Sequence, residues 1–258
     1  MLYKYQSFNN FGLQILTNRA IYFSSPDELN DPLECQFKSL PVTEEIKRRL
    51  TGEELAIFRK ISEKLYDERG TGNRVPIFQA IENISKQAGI FSLCQTNNDP
   101  LMWSHYADGH RGFCIGFSRS YFEDLISNSW QVLSIVGGGE VDYSASPKYL
   151  EVIIEYIKNY HKKKNQSFDD LIEKVLISLI NTKSDKWCYE MEYRIVRFSK
   201  GLLQFQPEAI KEIIIGQKAS SSDKTMLLSI LDNTSLKHIA KKVAEFSHNS
   251  YLMNINDV

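Results

Sequence analysis

The chain has 258 residues, 42% of them hydrophobic, with a formal net charge of -1 and a pI near 6.5. That length supports one large domain or two small ones with a sizeable core. The balanced charge excludes a global attraction to nucleic acid or anionic lipid, so any polyanion site must be a local patch.

The opening MLYKYQSF has neither a charged leader ahead of an apolar core nor a long apolar segment, so a cytoplasmic location without membrane association is expected. Cys35, Cys94, Cys114 and Cys188 are widely spaced without a CxxC, which fits buried reduced thiols better than disulfides or structural zinc.

In chain order, Leu2 to Tyr5 reads as a short strand and Gly12 to Leu16 as a short helix ended by Asn18. Ala20 to Phe23 is a β-rich run stopped by Ser24-Ser25-Pro26. The following SSPDELNDPLE is turn-rich: Asn30-Asp31-Pro32 either closes a tight turn on its own backbone or lines a polar pocket. From Thr43 to Gln87 the pattern is helical, with TEEIKRRL and TGEELAIF each opening on a Thr followed by Glu in a capping-box arrangement. Residues 43–88 are therefore expected to form a helical insert.

Ile90 to Cys94 and Phe113 to Phe117 read as strands, and Ser118 to Leu125 as a capped helix. Val132 to Val136 resembles another strand, and Gly137-Gly138-Gly139 a mobile turn, since no phosphate-loop pattern accompanies the glycines. Val141 to Tyr143 looks like a strand end. Residues 149–182 are mostly helical around a basic tract, His161 to Lys164, that is either a charged loop or a phosphate patch. Lys211 to Gly216 reads as a strand, Ser221 to Leu231 as a helix, and Ser235 to Phe246 as a last helix or strand. The expected fold is one α+β domain over 1–258, a split or mixed sheet flanked by helices.

Chemistry concentrates in two stretches. NNDPLMWSHYADGHRGFCIGF, from Asn97, carries Trp103, His105, Tyr106 and His110 within eight positions. Trp103 and Tyr106, at i,i+3, are either a helix's buried face or a stacking surface for a ring. His105 and His110 are either ligand-binding imidazoles or, for His110 beside Gly109 and Gly112, a helix terminator. The second stretch, KWCYEMEYRIVRF from Lys186, alternates as a strand would, with Tyr189, Met191, Tyr193 and Ile195 on one face and Glu190, Glu192 and Arg194 on the other.

Together YKYQS, IYFSSPDELNDPLE, FSLCQTNNDPLMWSHYADGHRGFCIGF and EMEYRIV resemble the bacterial family catalogued as domain of unknown function 2971, over roughly residues 2 to 216. The layout more distantly resembles the ADP-ribosyltransferase fold, in which an early strand, a middle strand-helix segment and a late glutamate-bearing strand converge on NAD. That resemblance implies an NAD-using enzyme, for ADP-ribosyl transfer or NAD cleavage. By it, Glu192 is the catalytic carboxylate and Glu190 positions an acceptor. His105, counted among the catalytic residues, or His110 bonds a ribose hydroxyl or the pyrophosphate, and Trp103 or Tyr106 stacks on nicotinamide; Glu190, Glu192 and Arg194 form the opposite wall, with Lys4, Tyr5, Asn30 and Asp31 at the rim. Such enzymes carry Arg or His on the first strand, where Lys4 and Tyr5 stand here. The partner is then a small nucleotide plus a protein or nucleic-acid acceptor, and a toxin or phage-defence role is a fitting setting.

Two other classes compete. A metal-dependent nuclease would use Asp31, Glu34, Glu190 and Glu192 around a divalent ion, although no compact D/E-x-D/E-x-K core is present. A non-catalytic module would use the Trp-His-Tyr stretch as a nucleotide or peptide pocket.

Overall fold

A computed structural model of the chain describes residues 1–67, 72–128, 135–160 and 167–258. The basic tract and the first half of the strand expected over Val132 to Val136 lie outside the described residues. The fold is α+β and organised on an eight-stranded mixed sheet. Its strands are β1 (Leu2–Gln6), β5 (Gly89–Cys94), β6 (Phe113–Phe117), β7 (Ile135–Glu140), β10 (Glu192–Arg197), β12 (Ile210–Ile215), β13 (Ala240–Phe246) and β14 (Met253–Asp257), in the order β14-β13-β12-β6-β1-β5-β10-β7. Among the described residues of this sheet, only β12 and β13 pair in parallel.

Two-stranded ribbons join β2 (Ala20–Phe23) to β11 (Gly201–Gln204), β3 (Leu65–Asp67) to β4 (Arg74–Pro76), and β8 (Asp142–Ser144) to β9 (Thr182–Ser184). The helices are α1 (Asn10–Asn18), α2 (Ser39–Arg49), α3 (Gly52–Ser62), α4 (Ile77–Gln87), α5 (Pro100–Tyr106), α6 (Arg119–Asn128), α7 (Tyr149–Lys158), α8 (Phe168–Ile180) and α9 (Ser221–Asp232). None of the described helices is long and apolar enough to cross a membrane.

The period of two along each strand divides the core. Phe91, Leu93, Phe113, Ile115, Phe117, Tyr193 and Ile195 point to one face and pack with Ile15, Leu16, Phe122, Leu227 and Leu231 of α1, α6 and α9. On the other face, Ile90 and Val196 meet the apolar sides of α2, α3, α4, α7 and α8, while Tyr5, Cys94, Cys114 and Ile214 meet Met102 and Trp103 of α5. Between these two apolar clusters the same face carries Ser92, Glu192 and Arg194, since Arg194 pairs with Ser92 and Glu192 with Cys94.

The sheet is nearly parted at one seam. β1 and β6 share a five-residue register, whereas β1 and β5 meet only at Tyr3 and Cys94. Lys4 spans part of that seam, its Nζ donating to the Ser92 carbonyl at 2.9 Å.

Several expectations are corrected. The three glycines form no turn but the middle of β7, where a Cβ on Gly138 would come within 2.6 Å of Ile126 and 2.7 Å of the Arg194 carbonyl oxygen. Neither expected capping box forms. Thr43 lies inside α2, its hydroxyl turned back onto the Ser39 carbonyl, and Thr51 precedes α3 without a side-chain cap bond. The region expected to be a helical insert also contains the β3–β4 ribbon. Of Ser235 to Phe246, read as a helix or a strand, Ala240–Phe246 forms the strand β13, and β14 follows it unforeseen. Cys35, Cys94 and Cys114 are buried free thiols, but Cys188 is exposed.

Candidate functional site

The strand expected from Lys186 begins only at Glu192. Residues Asp185–Glu190 form a 3-10 turn, and Met191 adopts a left-handed conformation with φ 42°. Glu190 therefore does not share a strand face with Glu192 and Arg194. The left-handed residue reverses the chain so that Glu190 reaches the same point from the turn, while Met191 is left exposed.

That point is the Nζ of Lys183, on β9. It lies 2.8 Å from Glu34 Oε1 and 2.8 Å from Glu192 Oε1, and it donates to Glu190 as well. Arg194 grips both oxygens of Glu192, at 2.7 and 2.8 Å, and donates to Glu34 Oε2 and to the Ile180 carbonyl, each at 2.7 Å. All five side chains are buried. Burial of charge on this scale requires such saturation, because a lone ion in the interior is far more costly than a paired one.

The carboxylates are not equivalent. Burial raises the pKa of Glu190 above the ordinary range, helped by a hydrogen bond with Glu192 and opposed by Lys183 and Tyr106. Burial pushes Glu192 the same way, but the charge and hydrogen bonds of Arg194, with Lys183 behind them, outweigh it and hold Glu192 ionised. Lys183 is likewise penalised by burial and restored above its usual value by Glu192 and Glu34. Glu190 is the group in the cluster poised to exchange a proton.

Glu190, Glu192, Lys183 and Arg194 form the floor of a cleft of about 250 Å³. Its walls include Tyr3, Lys4 and Tyr5 from the seam, Tyr22 and Asn30 from the segment after α1, and Tyr106 from the end of α5. Tyr106 donates its hydroxyl proton to Glu190 and accepts from Asn30 Nδ2 at 2.6 Å, so floor and rim are bonded together. Tyr5 donates to the Thr96 carbonyl at 2.9 Å. At the mouth, Glu28 is held by Lys200 at 2.7 Å and by the Ser25 backbone N–H, which keep its pKa down at about 2.

Of the residues expected from sequence, the cleft thus gathers Lys4, Tyr5, Asn30, Tyr106, Glu190, Glu192 and Arg194. Four others lie elsewhere. Trp103 is fully buried, its indole N–H donating to the Asn97 carbonyl at 2.8 Å and its ring set edge-on to Tyr5, so it is core and offers no stacking face. His105 is exposed on α5 beside Tyr189. His110, with φ 70°, terminates that helix and packs on Phe246. Asp31 is buried in its turn, accepting from Leu33 N–H at 2.9 Å. α5 itself is placed by Asp99, which caps Leu101 and Met102 ahead of Pro100.

Lys183 was not foreseen. Its segment, Thr182-Lys183-Ser184, is polar, short and without periodicity. The signal that could have found it is charge balance: three buried carboxylates need more than Arg194 alone.

A sequence model of the family described as Protein of unknown function (DUF2971) matches residues 102–195. Over those residues the chain is similar to the DUF2971 family. The match is narrower than the span of about 2 to 216 read from sequence. It runs from α5 into β10 and so includes Tyr106, Lys183, Glu190, Glu192 and Arg194, while Lys4, Asn30 and Glu34 lie ahead of it. The cleft is thus completed by segments N-terminal to the DUF2971 match. No curated protein and no solved structure matches the chain.

Proposed function

We propose that the cleft cleaves the N-glycosidic bond of a nicotinamide nucleotide, NAD in the first instance, passing the ribosyl carbon to water or to an acceptor. The observation that carries this reading is the charge of the floor. With Glu190 ionised, the buried cluster beneath the cleft sets three carboxylates, Glu34, Glu190 and Glu192, against Lys183 and Arg194, one net negative charge there, with the ammonium of Lys4 apart on the wall of a site lined by tyrosines.

Cleavage breaks the C1′–N bond, and its electron pair leaves with the pyridinium nitrogen as neutral nicotinamide. No proton is needed by that leaving group. C1′ acquires oxocarbenium character, which a preorganised anion stabilises more strongly in the transition state than in the substrate. The nucleophile's oxygen then bonds to C1′ and gives up its proton. Glu190, whose raised pKa makes it a stronger base than an ordinary carboxylate, accepts that proton once it is itself ionised. Glu192, clamped by Arg194, is a fixed part of the anionic field rather than a proton carrier.

The geometry argues against the nuclease reading. Among the described residues no group of His, Cys, Asp and Glu is arranged to hold a metal ion. Glu34, Glu190 and Glu192 converge instead on the ammonium of Lys183, which occupies the position a divalent ion would need.

The test is nicotinamide release from NAD, followed chromatographically, with and without candidate acceptors. Release that falls at least a hundredfold in a Glu190→Gln variant that remains folded supports the proposal. Absence of release by the wild-type protein under every acceptor condition rejects it.

A further inference from the structure

The cleft's cations are unequal. Lys183 and Arg194 are spent on carboxylates and on the Ile180 carbonyl. Lys4 lines the cleft with a hydrogen bond only to the Ser92 carbonyl among those described, its ammonium 5.2 Å from the centre of the Phe91 ring and paired with no carboxylate. It sits beside the seam where β1 and β5 share only the Tyr3–Cys94 pair.

Size and charge at the mouth point the same way. The volume of about 250 Å³ lies below the roughly 300–1,000 Å³ of pockets that enclose whole drug-sized ligands. A second phosphate further out would find the mouth's lysine, Lys200, already paired with Glu28 at 2.7 Å.

Resting on the reaction proposed above, we infer that the cleft recognises only the ribose 5′-monophosphate half of its substrate, with Lys4 as the phosphate site, and leaves the adenylate half outside. Nicotinamide mononucleotide is then a substrate comparable to NAD. Burial lowers the pKa of Lys4, and an incoming phosphate restores its charge by direct pairing.

Titration calorimetry with nicotinamide mononucleotide, nicotinamide riboside and NAD separates binding from turnover. The mononucleotide and NAD are expected to bind within about threefold of each other, and the riboside at least tenfold more weakly. Lys4→Gln should erase the preference for the phosphate, and Lys4→Arg should retain most of it. A riboside that binds as well as the mononucleotide, or NAD that binds more than tenfold tighter, overturns the inference. Should Lys4→Gln fail to fold, the wild-type ligand series alone decides. Lys4-dependent binding of the mononucleotide without nicotinamide release would sink the reaction and leave the phosphate site standing. NAD turnover with rejection of the mononucleotide would do the reverse.

Discussion

Arg194 and Glu34, 160 positions apart in the chain, are joined by a buried hydrogen-bonded ion pair of 2.7 Å. This contact ties the turn after β2 to β10, the strand next to the β7 edge of the sheet, and fixes one side of the cluster beneath the cleft. Replacing Arg194 with Met removes the bidentate partner of Glu192 at the same time, leaving Glu192 and Glu34 with Lys183 alone. The expected loss is about 3–5 kcal/mol, which is what breaking one side of a buried pair costs. Urea denaturation of the variant against wild type measures it directly; a loss under 1 kcal/mol would mean that the network contributes no more than a surface pair.

Stability should respond to pH with opposite signs from the two floor carboxylates. Glu190 titrates above its unfolded value, so the folded chain holds a proton that the unfolded chain releases. Its contribution is full below the ordinary carboxylate range and declines as pH rises through the raised value. Glu192 titrates below its unfolded value, so its contribution is full above the ordinary range and is lost as pH falls. Urea midpoints taken across both windows should show a decline on the alkaline side that disappears in Glu190→Gln, while the acid-side decline persists.

Tyr106→Phe deletes the hydroxyl between Asn30 and Glu190. About 1 kcal/mol of stability should go with it. The more telling effect is on titration: the hydroxyl stabilises the ionised form of Glu190, so its removal moves the Glu190 titration to higher pH. In the proposed reaction the rising acid limb of the rate profile should shift upward by the same amount. A profile that stays in place would show that Glu190 is not the group that limits it.

Trp103→Ala should cost about 3–5 kcal/mol, the range for emptying a fully buried aromatic site. Trp103→Phe keeps most of the volume, loses the bond to the Asn97 carbonyl, and should leave ligand affinity within a factor of two. A large affinity loss in a well-folded Trp103→Phe would contradict a purely internal role.

Gly138→Ala should destabilise the fold by about 1–3 kcal/mol through overpacking against Ile126 and the Arg194 backbone. Thermal unfolding suffices as the readout, at about 2–4 °C per kcal/mol for a chain of this size.

The sequence shows some of this plainly and hides the rest for definable reasons. Phe113 to Phe117 is legible as a strand because five apolar residues are bounded by Gly112 and Ser118. Glu192 and Arg194 are legible as sharing a face because Tyr193 and Ile195 alternate with them. The 3-10 turn just before them is not, since the left-handed residue that ends it is Met191, and methionine carries no local signal for that conformation. Gly137 to Gly139 reads as a turn because glycine weakens strands. Here the close approach of Ile126 to Gly138 is what excludes a side chain, a fact of tertiary packing that no local pattern records. Lys183 is hidden for the same kind of reason: its carboxylates arrive from residues 34, 190 and 192.

The seam beside Lys4 also bears on how the chain is made. β1 sits in the interior of the sheet, yet its neighbours are Cys94 and, across the long register, Phe117 opposite Leu2. At roughly 5–20 residues per second of synthesis, those neighbours leave the ribosome on the order of ten seconds after β1 does. Throughout that interval a strand reading Leu-Tyr-Lys-Tyr-Gln has both edges open. Its lysine is then a charge on a bare strand, the feature that discourages premature pairing with another nascent chain.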